Sequence, residues 1–258
     1  MKNIISVNYL FTLFFLFVQV QLFAQNRYWV SDVASNWSGN NWANSSNGAP
    51  DGVGPPTAVQ NAIFDVNGTG NCLFDVVSAS VNSITLSTYT AILDLNGSDL
   101  EVSSGSFILS SGTIADNVGG ANIFLNNASS ADFNGGSVDA RISGKIQSLD
   151  FDGTRFLKSC FFEKSGTAND FGSGGNYFED TLSINYSTGG GYIIFGQTDP
   201  DTLNGYVNFV NSSSGYIEFG RNTIGNFVND LMEVSSTGSS NGIRFGTIGG
   251  TTTFSASA

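Results

Sequence analysis

Three observations predict that the chain is all-β and stacks short strands into a parallel β-helix. The first is composition. Of 258 residues, 32 are Gly, 35 Ser and 28 Asn, while Phe alone contributes 22 and charged residues only 12%. Scarce Lys, Glu, Leu and Ala leave little material for helices, and 40% hydrophobic residues are too many for a disordered chain. The second is a repeat. Phe-Gly pairs fall at 171–172, 195–196, 219–220 and 245–246, and the triplets Leu182-Ser183-Ile184, Val207-Asn208-Phe209 and Met232-Glu233-Val234 follow one another at steps of 25. The third is alternation. Each triplet reads apolar, polar, apolar, which puts one side of a strand toward a core. A unit of about 25 residues with two short strands cannot bury its own apolar side, but stacked units can.

In chain order, residues 1–24 come first. Lys2, an apolar run from Tyr9 to Phe23 and the small residue Ala24 read as a secretory signal peptide cleaved after Ala24. The run is interrupted by Gln19 and Gln21 and is short for a transmembrane helix. No second apolar run follows, so no membrane span is expected after cleavage. Removing Lys2 takes the formal charge from -12 to -13.

Residues 25–58 hold all three tryptophans, Trp29, Trp37 and Trp42, with Pro50, Pro55 and Pro56. Aromatic side chains here are expected to cap the first coil and shield its open edge. The functional alternative is a sugar-stacking platform built from the same Trp29, Trp37 and Trp42.

Residues 59–258 are expected to form the β-helix, roughly eight coils over about 40 Å, with the clearest repeats at 171–250. Strands are predicted at Ser83–Leu86, Ala91–Leu95, Leu100–Val102, Phe107–Leu109 and Ile123–Leu125. Phe133-Asn134-Gly135 and Phe151-Asp152-Gly153 read as strand-to-turn junctions. Stacking would place Leu182, Val207 and Met232 in one core column and Ile184, Phe209 and Val234 in another. Phe195, Phe219 and Phe245 would share a third column, and Ile194, Glu218 and Arg244 would lie outside. Cys72 and Cys160 would sit several layers apart, which disfavours a disulfide.

The residue inventory narrows chemistry sharply. With no His there is no Ser-His-Asp triad, no Cys-His dyad and no His metal ligand. Nine cations against 21 acids argue against nucleic acid as a partner. The acid/base candidates are carboxylates: Asp150 and Asp152 two apart on one strand, and Asp199 and Asp201 around Pro200. They read better as turn residues than as a catalytic pair, so no enzyme activity, no catalytic residue, no metal site and no cofactor is expected. Arg141, Lys145, Arg155, Lys158 and Lys164 cluster among Asp150, Asp152 and Glu163, the pattern of a solvated surface with ion pairs between coils.

Tyr28-Trp29-Val30, Asn36-Trp37-Ser38, Asn41-Trp42 and Ala62-Ile63-Phe64-Asp65 resemble the start of large secreted, adhesin-like repeat proteins of the Bacteroidetes. Later stretches such as Gly190-Gly191-Tyr192-Ile193-Ile194-Phe195-Gly196 resemble their repeats. Gln60, where Asp is more usual, and Cys160, where a β-branched residue is usual, depart from the pattern. The resemblance implies a right-handed coil, export by type IX secretion and a role in surface adhesion. The expected function is therefore a structural or adhesive segment of a secreted or cell-surface protein, with surface glycans or surface proteins as partners. A carbohydrate-binding β-helix is the alternative, and a polysaccharide lyase or hydrolase the third reading. Because the chain stops just after a repeat, at Ala258, it is expected to be a fragment of a longer protein.

Overall fold

A computed structural model of the chain describes residues 24–221, 226–237 and 242–246, and the backbone of 252–254. The expected signal peptide lies outside the described residues except for Ala24.

The described residues contain strands and turns and no helix, and successive strands pair in parallel to form a β-solenoid of about eight turns. Three faces run along it. Face one stacks Ser78–Val81, Asp99–Val102, the start of Asn122–Phe133, the start of Arg141–Phe151, Cys160–Lys164, Leu182–Tyr186, Val207–Asn211 and Met232–Ser236. Face two stacks Gln25–Trp29, Gln60–Phe64, Ser83–Leu86, Ser106–Leu109 and the ends of the two long strands. It then resumes as a separate sheet of Asn169–Phe171, Tyr192–Phe195, Tyr216–Phe219 and Ile243–Phe245. Face three is a ten-stranded sheet running from Ser35–Asn36 to Thr252–Phe254. Within a coil, Asn122–Phe133 and Arg141–Phe151 cover faces one and two without a break, and their shared register shifts between Asn126 and Ala128, where the chain turns the corner.

Coil length varies while register does not. Ser137 pairs with Arg155, 18 residues on, whereas Leu182 pairs with Val207, 25 residues on. The extra residues go into turns, where small residues tolerate many conformations. Gly144 shows the converse constraint: a Cβ there would sit 2.2 Å from the Leu125 carbonyl oxygen of the coil before, at φ +153°.

The core is a set of side-chain columns. On face one Leu100, Ile123, Ile142, Cys160, Leu182 and Val207 stack in register and are all buried. Cys160 thus occupies an ordinary core position. Burial raises its thiol pKa well above the usual value, and it and Cys72 are both unpaired. Ile184 and Phe209 form the neighbouring column as expected, but Val234 is exposed, its strand being the last of this face among the described residues. Across the interior, Phe151 stacks on Phe133 at 5.4 Å and on Phe195 at 5.1 Å, and Phe156 lies parallel to Phe178 at 4.6 Å. Such pairs add to the apolar burial that drives stacking.

Among the described residues, Gln25–Trp29 and Ser35–Asn36 already pair in parallel with the next coil. One sequence expectation about the columns is corrected. Ile194 and Glu218 do stack with Arg244 but are buried, not outside. The chain turns at Gly220 (φ +75°), and Arg221 folds back over them to reach Glu218 Oε2 at 2.7 Å and the Tyr216 hydroxyl at 2.7 Å.

Phe151→Ala removes a ring that packs against rings from all three faces and, with its own, from four coils. We expect a loss of about 3–5 kcal/mol in stability, read by denaturant unfolding followed by circular dichroism.

Candidate functional site

Trp29, Trp37 and Trp42 are all buried. They pack edge-to-face on one another at 5.4 and 4.9 Å and against Phe64 and Phe74. Their polar edges are used internally: Trp29 Nε1 donates to the Gly70 carbonyl at 3.0 Å and Trp42 Nε1 to that of Trp37 at 2.9 Å. No ring face is left for a sugar, so the stacking platform expected from these three residues is not formed. Trp42–Ala43 instead runs antiparallel beside Gln25–Trp29, along the outer edge of the first layer. The loop that follows is tied down by buried Arg27, which donates to Asn44, to both oxygens of Asp51 and to the Gly54 carbonyl. That guanidinium, with the Val53 N–H, lowers the Asp51 pKa to about 2.

The carboxylates behave differently from one another. Asp199 forms a backbone bridge with Gly174 in a turn, as its sequence context suggested. Asp201 is buried in a column of side chains at the corner between faces two and three. Asn176 Oδ1 accepts the Gly153 and Thr154 N–H groups, Asn176 Nδ2 donates to Asp201 Oδ1 at 2.8 Å, and Asn226 Oδ1 accepts the Asp201 N–H at 2.8 Å. Each side chain thereby hydrogen-bonds the coil beside it. Asp201 Oδ2 has no hydrogen-bond partner among the described residues. Burial raises the Asp201 pKa to about 7, against the opposing hydrogen bonds from Asn176.

Asp132 and Asp150 stack in register on face two, and Asp170 comes up beside them from the next coil. Asp170 Oδ1 accepts from Ser148 Oγ at 2.7 Å and its Oδ2 from the Leu149 N–H at 2.9 Å. Burial, then the charges of Asp170 and Asp132, raise the Asp150 pKa to about 7; Asp132 and Asp170 are raised too, burial being the main cause for both. Lys164, expected on a solvated surface, is buried and ion-paired with Asp170. The other cations are where the sequence placed them: Lys145 pairs with Glu163 at 3.3 Å and Lys158 with Asp139 at 3.4 Å, and Arg141 and Arg155 lie over Phe161 and Tyr177. Among the described residues no group of three or more acidic or Cys side chains is arranged to hold a metal.

Two outward surfaces were missed by sequence reasoning. On face one, Phe124, Ser143, Phe161 and Ser183 stack in register beside Asn126, Lys145, Glu163 and Asn185, and line a shallow, open groove. On face two, Phe171, Tyr192 and Tyr216 form an outward aromatic row, with Arg221 and Arg244 against the tyrosine rings. The alternation in each strand was visible, but which columns became neighbours depends on inter-coil register. No family model, curated protein or solved structure matches the chain. No helix among the described residues is long and apolar enough to cross a membrane.

Asp201 gives a pH test. Its folded pKa exceeds that of the unfolded chain, so its stabilising contribution is complete below about 4 and is lost as pH rises through about 7. In Asp201→Asn the new amide can donate to Asn226 Oδ1, repeating what Asn176 does to Asp201. We expect the variant to gain about 1–3 kcal/mol at pH 8 and to lose most of the fall in melting temperature between pH 4 and 8.

Proposed function

We propose that the chain is a structural, adhesive and non-catalytic segment of a secreted or cell-surface repeat protein. The observation that carries this reading is where the ionisable groups go. Asp170, Asp201 and Lys164 are buried within the stack, and their polar contacts brace neighbouring coils. Reacting groups of a polysaccharide-cleaving site need access to substrate. A rod braced in this way suits a stalk that displays its outer columns along its length. The Trp cluster and the antiparallel strand Trp42–Ala43 then serve as the cap of the first coil. The resemblance to adhesin-like Bacteroidetes proteins supports export through type IX secretion and display at the cell surface.

Carbohydrate binding is the second reading, and the face-one groove favours it. Phe124 and Phe161 offer ring surface, and Asn126 and Asn185 offer amides at one level of the same face. That combination of aromatic surface and side-chain amides is what sugar rings and hydroxyls require.

A glycan array probed with the labelled chain separates the two. Under the stalk reading the face-one groove holds no glycan, so any retention is unchanged in Phe161→Ala. Retention that falls at least tenfold in Phe161→Ala replaces it with glycan binding through face one. Incubation with acidic and neutral polysaccharides should release no new reducing or unsaturated ends; release abolished in Asp150→Asn would overturn the non-catalytic reading.

A further inference from the structure

Between Arg141–Phe151 and Asn169–Phe171 the ladder of face two is interrupted, and one lysine and one aspartate fill the gap. Both side chains are withdrawn from water, at 0% and 1% exposure. Lys164 Nζ touches Asp170 Oδ2 directly and is further held by the Gln147 carbonyl at 3.2 Å and the Ala168 carbonyl at 3.1 Å. The buried Tyr186 ring lies 5.4 Å from the nitrogen. Asp170 is fixed from its other side by Ser148 Oγ and the Leu149 N–H. Asp150 stands within electrostatic reach of both partners, and its buried Oδ1 has no hydrogen-bond partner among the described residues.

We propose that Lys164 and Asp170 close an intramolecular isopeptide bond after the chain folds, with Asp150 relaying the proton. An amine held against a carboxyl group gains the advantage of an intramolecular reaction. In a dry site the ion pair and the neutral amine–acid pair come closer in energy, because water no longer favours the charges. The step is a condensation. The Lys164 ammonium gives a proton to the Asp170 carboxylate, and the free amine attacks Cγ, forming the Nζ–Cγ bond. Asp150 takes a second proton from Nζ and delivers it to the departing Asp170 oxygen. The Cγ–O bond breaks, water leaves, and Asp150 is restored; nothing is oxidised or reduced. The departing oxygen is Oδ2, the one against Lys164, and the Leu149 N–H holds it in position. The Ser148 hydroxyl, which donates to Oδ1, is placed to stabilise the negative oxygen of the tetrahedral intermediate. Asp150 suits the relay because its pKa of about 7 lets it hold or release a proton near neutrality.

Intact-mass spectrometry of the purified, denatured chain tests this. The expected mass is one water below that of the sequence. Trypsin should leave Lys164 uncut, giving residues 159–221 as one peptide whose fragment ions place the link between Lys164 and Asp170. Lys164→Arg should restore full mass, and Asp170→Asn should lose one ammonia instead of one water. Asp150→Asn should slow closure at least tenfold. A chain that melts cooperatively yet has full mass overturns the proposal. So does a lost water that fragmentation places elsewhere, such as a cyclic imide at Asp152-Gly153. Closure at an unchanged rate in Asp150→Asn overturns the relay.

Discussion

The parallel backbone ladder between successive coils is the constraint on which the rest of this structure depends. A strand of two to five residues cannot satisfy its own amide and carbonyl groups, and an isolated coil cannot enclose an apolar interior. Only the coil above and the coil below supply the missing partners. Once Leu182 is opposite Val207 and Ile114 opposite Val138, inward side chains along an unbroken face meet their equivalents in the next layer. The columns of aliphatic residues and the stacked phenylalanines follow from that register. So does the tolerance of turns, which take up differences in coil length without disturbing the faces.

Where the ladder fails, charged side chains replace it. At the break in face two, Asp170 accepts the Leu149 N–H and Lys164 donates to two carbonyl groups, so backbone groups that would otherwise be orphaned in a dry interior are satisfied. Burying an ion pair is costly, and removing one partner alone leaves a stranded charge. The pair therefore makes sense only because of what it bonds to. Arg27 plays a comparable part at the first layer, holding a long loop against the solenoid through several acceptors at once. The perturbed carboxylates Asp150 and Asp201 are raised chiefly by burial among neighbouring coils.

Much of the fold was legible in the sequence. Ser83–Leu86 is a strand with the predicted bounds, and Asp99–Val102 and Ser106–Leu109 lie within a residue of theirs. The triplets 25 residues apart pair as their spacing implied. The candidate sites were less legible. The tryptophans were recognised as a unit, but their burial depends on Phe64 and Phe74 of the next coil, and the Trp29 N–H on the Gly70 carbonyl some forty residues away. Lys164 sits among other cations in a run that alternates in polarity, and nothing local distinguishes it from Lys145. What separates them is direction: Lys145 points to water on face one, while Lys164 turns inward at the corner.

Composition, alternation and period by themselves determined that this chain is a stack of short parallel strands with turns rich in small residues. Those signals are local or strictly periodic, and each acts on every coil alike. The tertiary structure alone decided which outward columns became neighbours, where the sheet breaks and which ionisable groups were drawn inside. The sheet break and the burial of Lys164 and Asp170 arise where the period is irregular, between residues 126 and 172, while Asp201 and Glu218 are drawn inside within the regular repeats. In both, the position of a side chain is set by the coil it lands against.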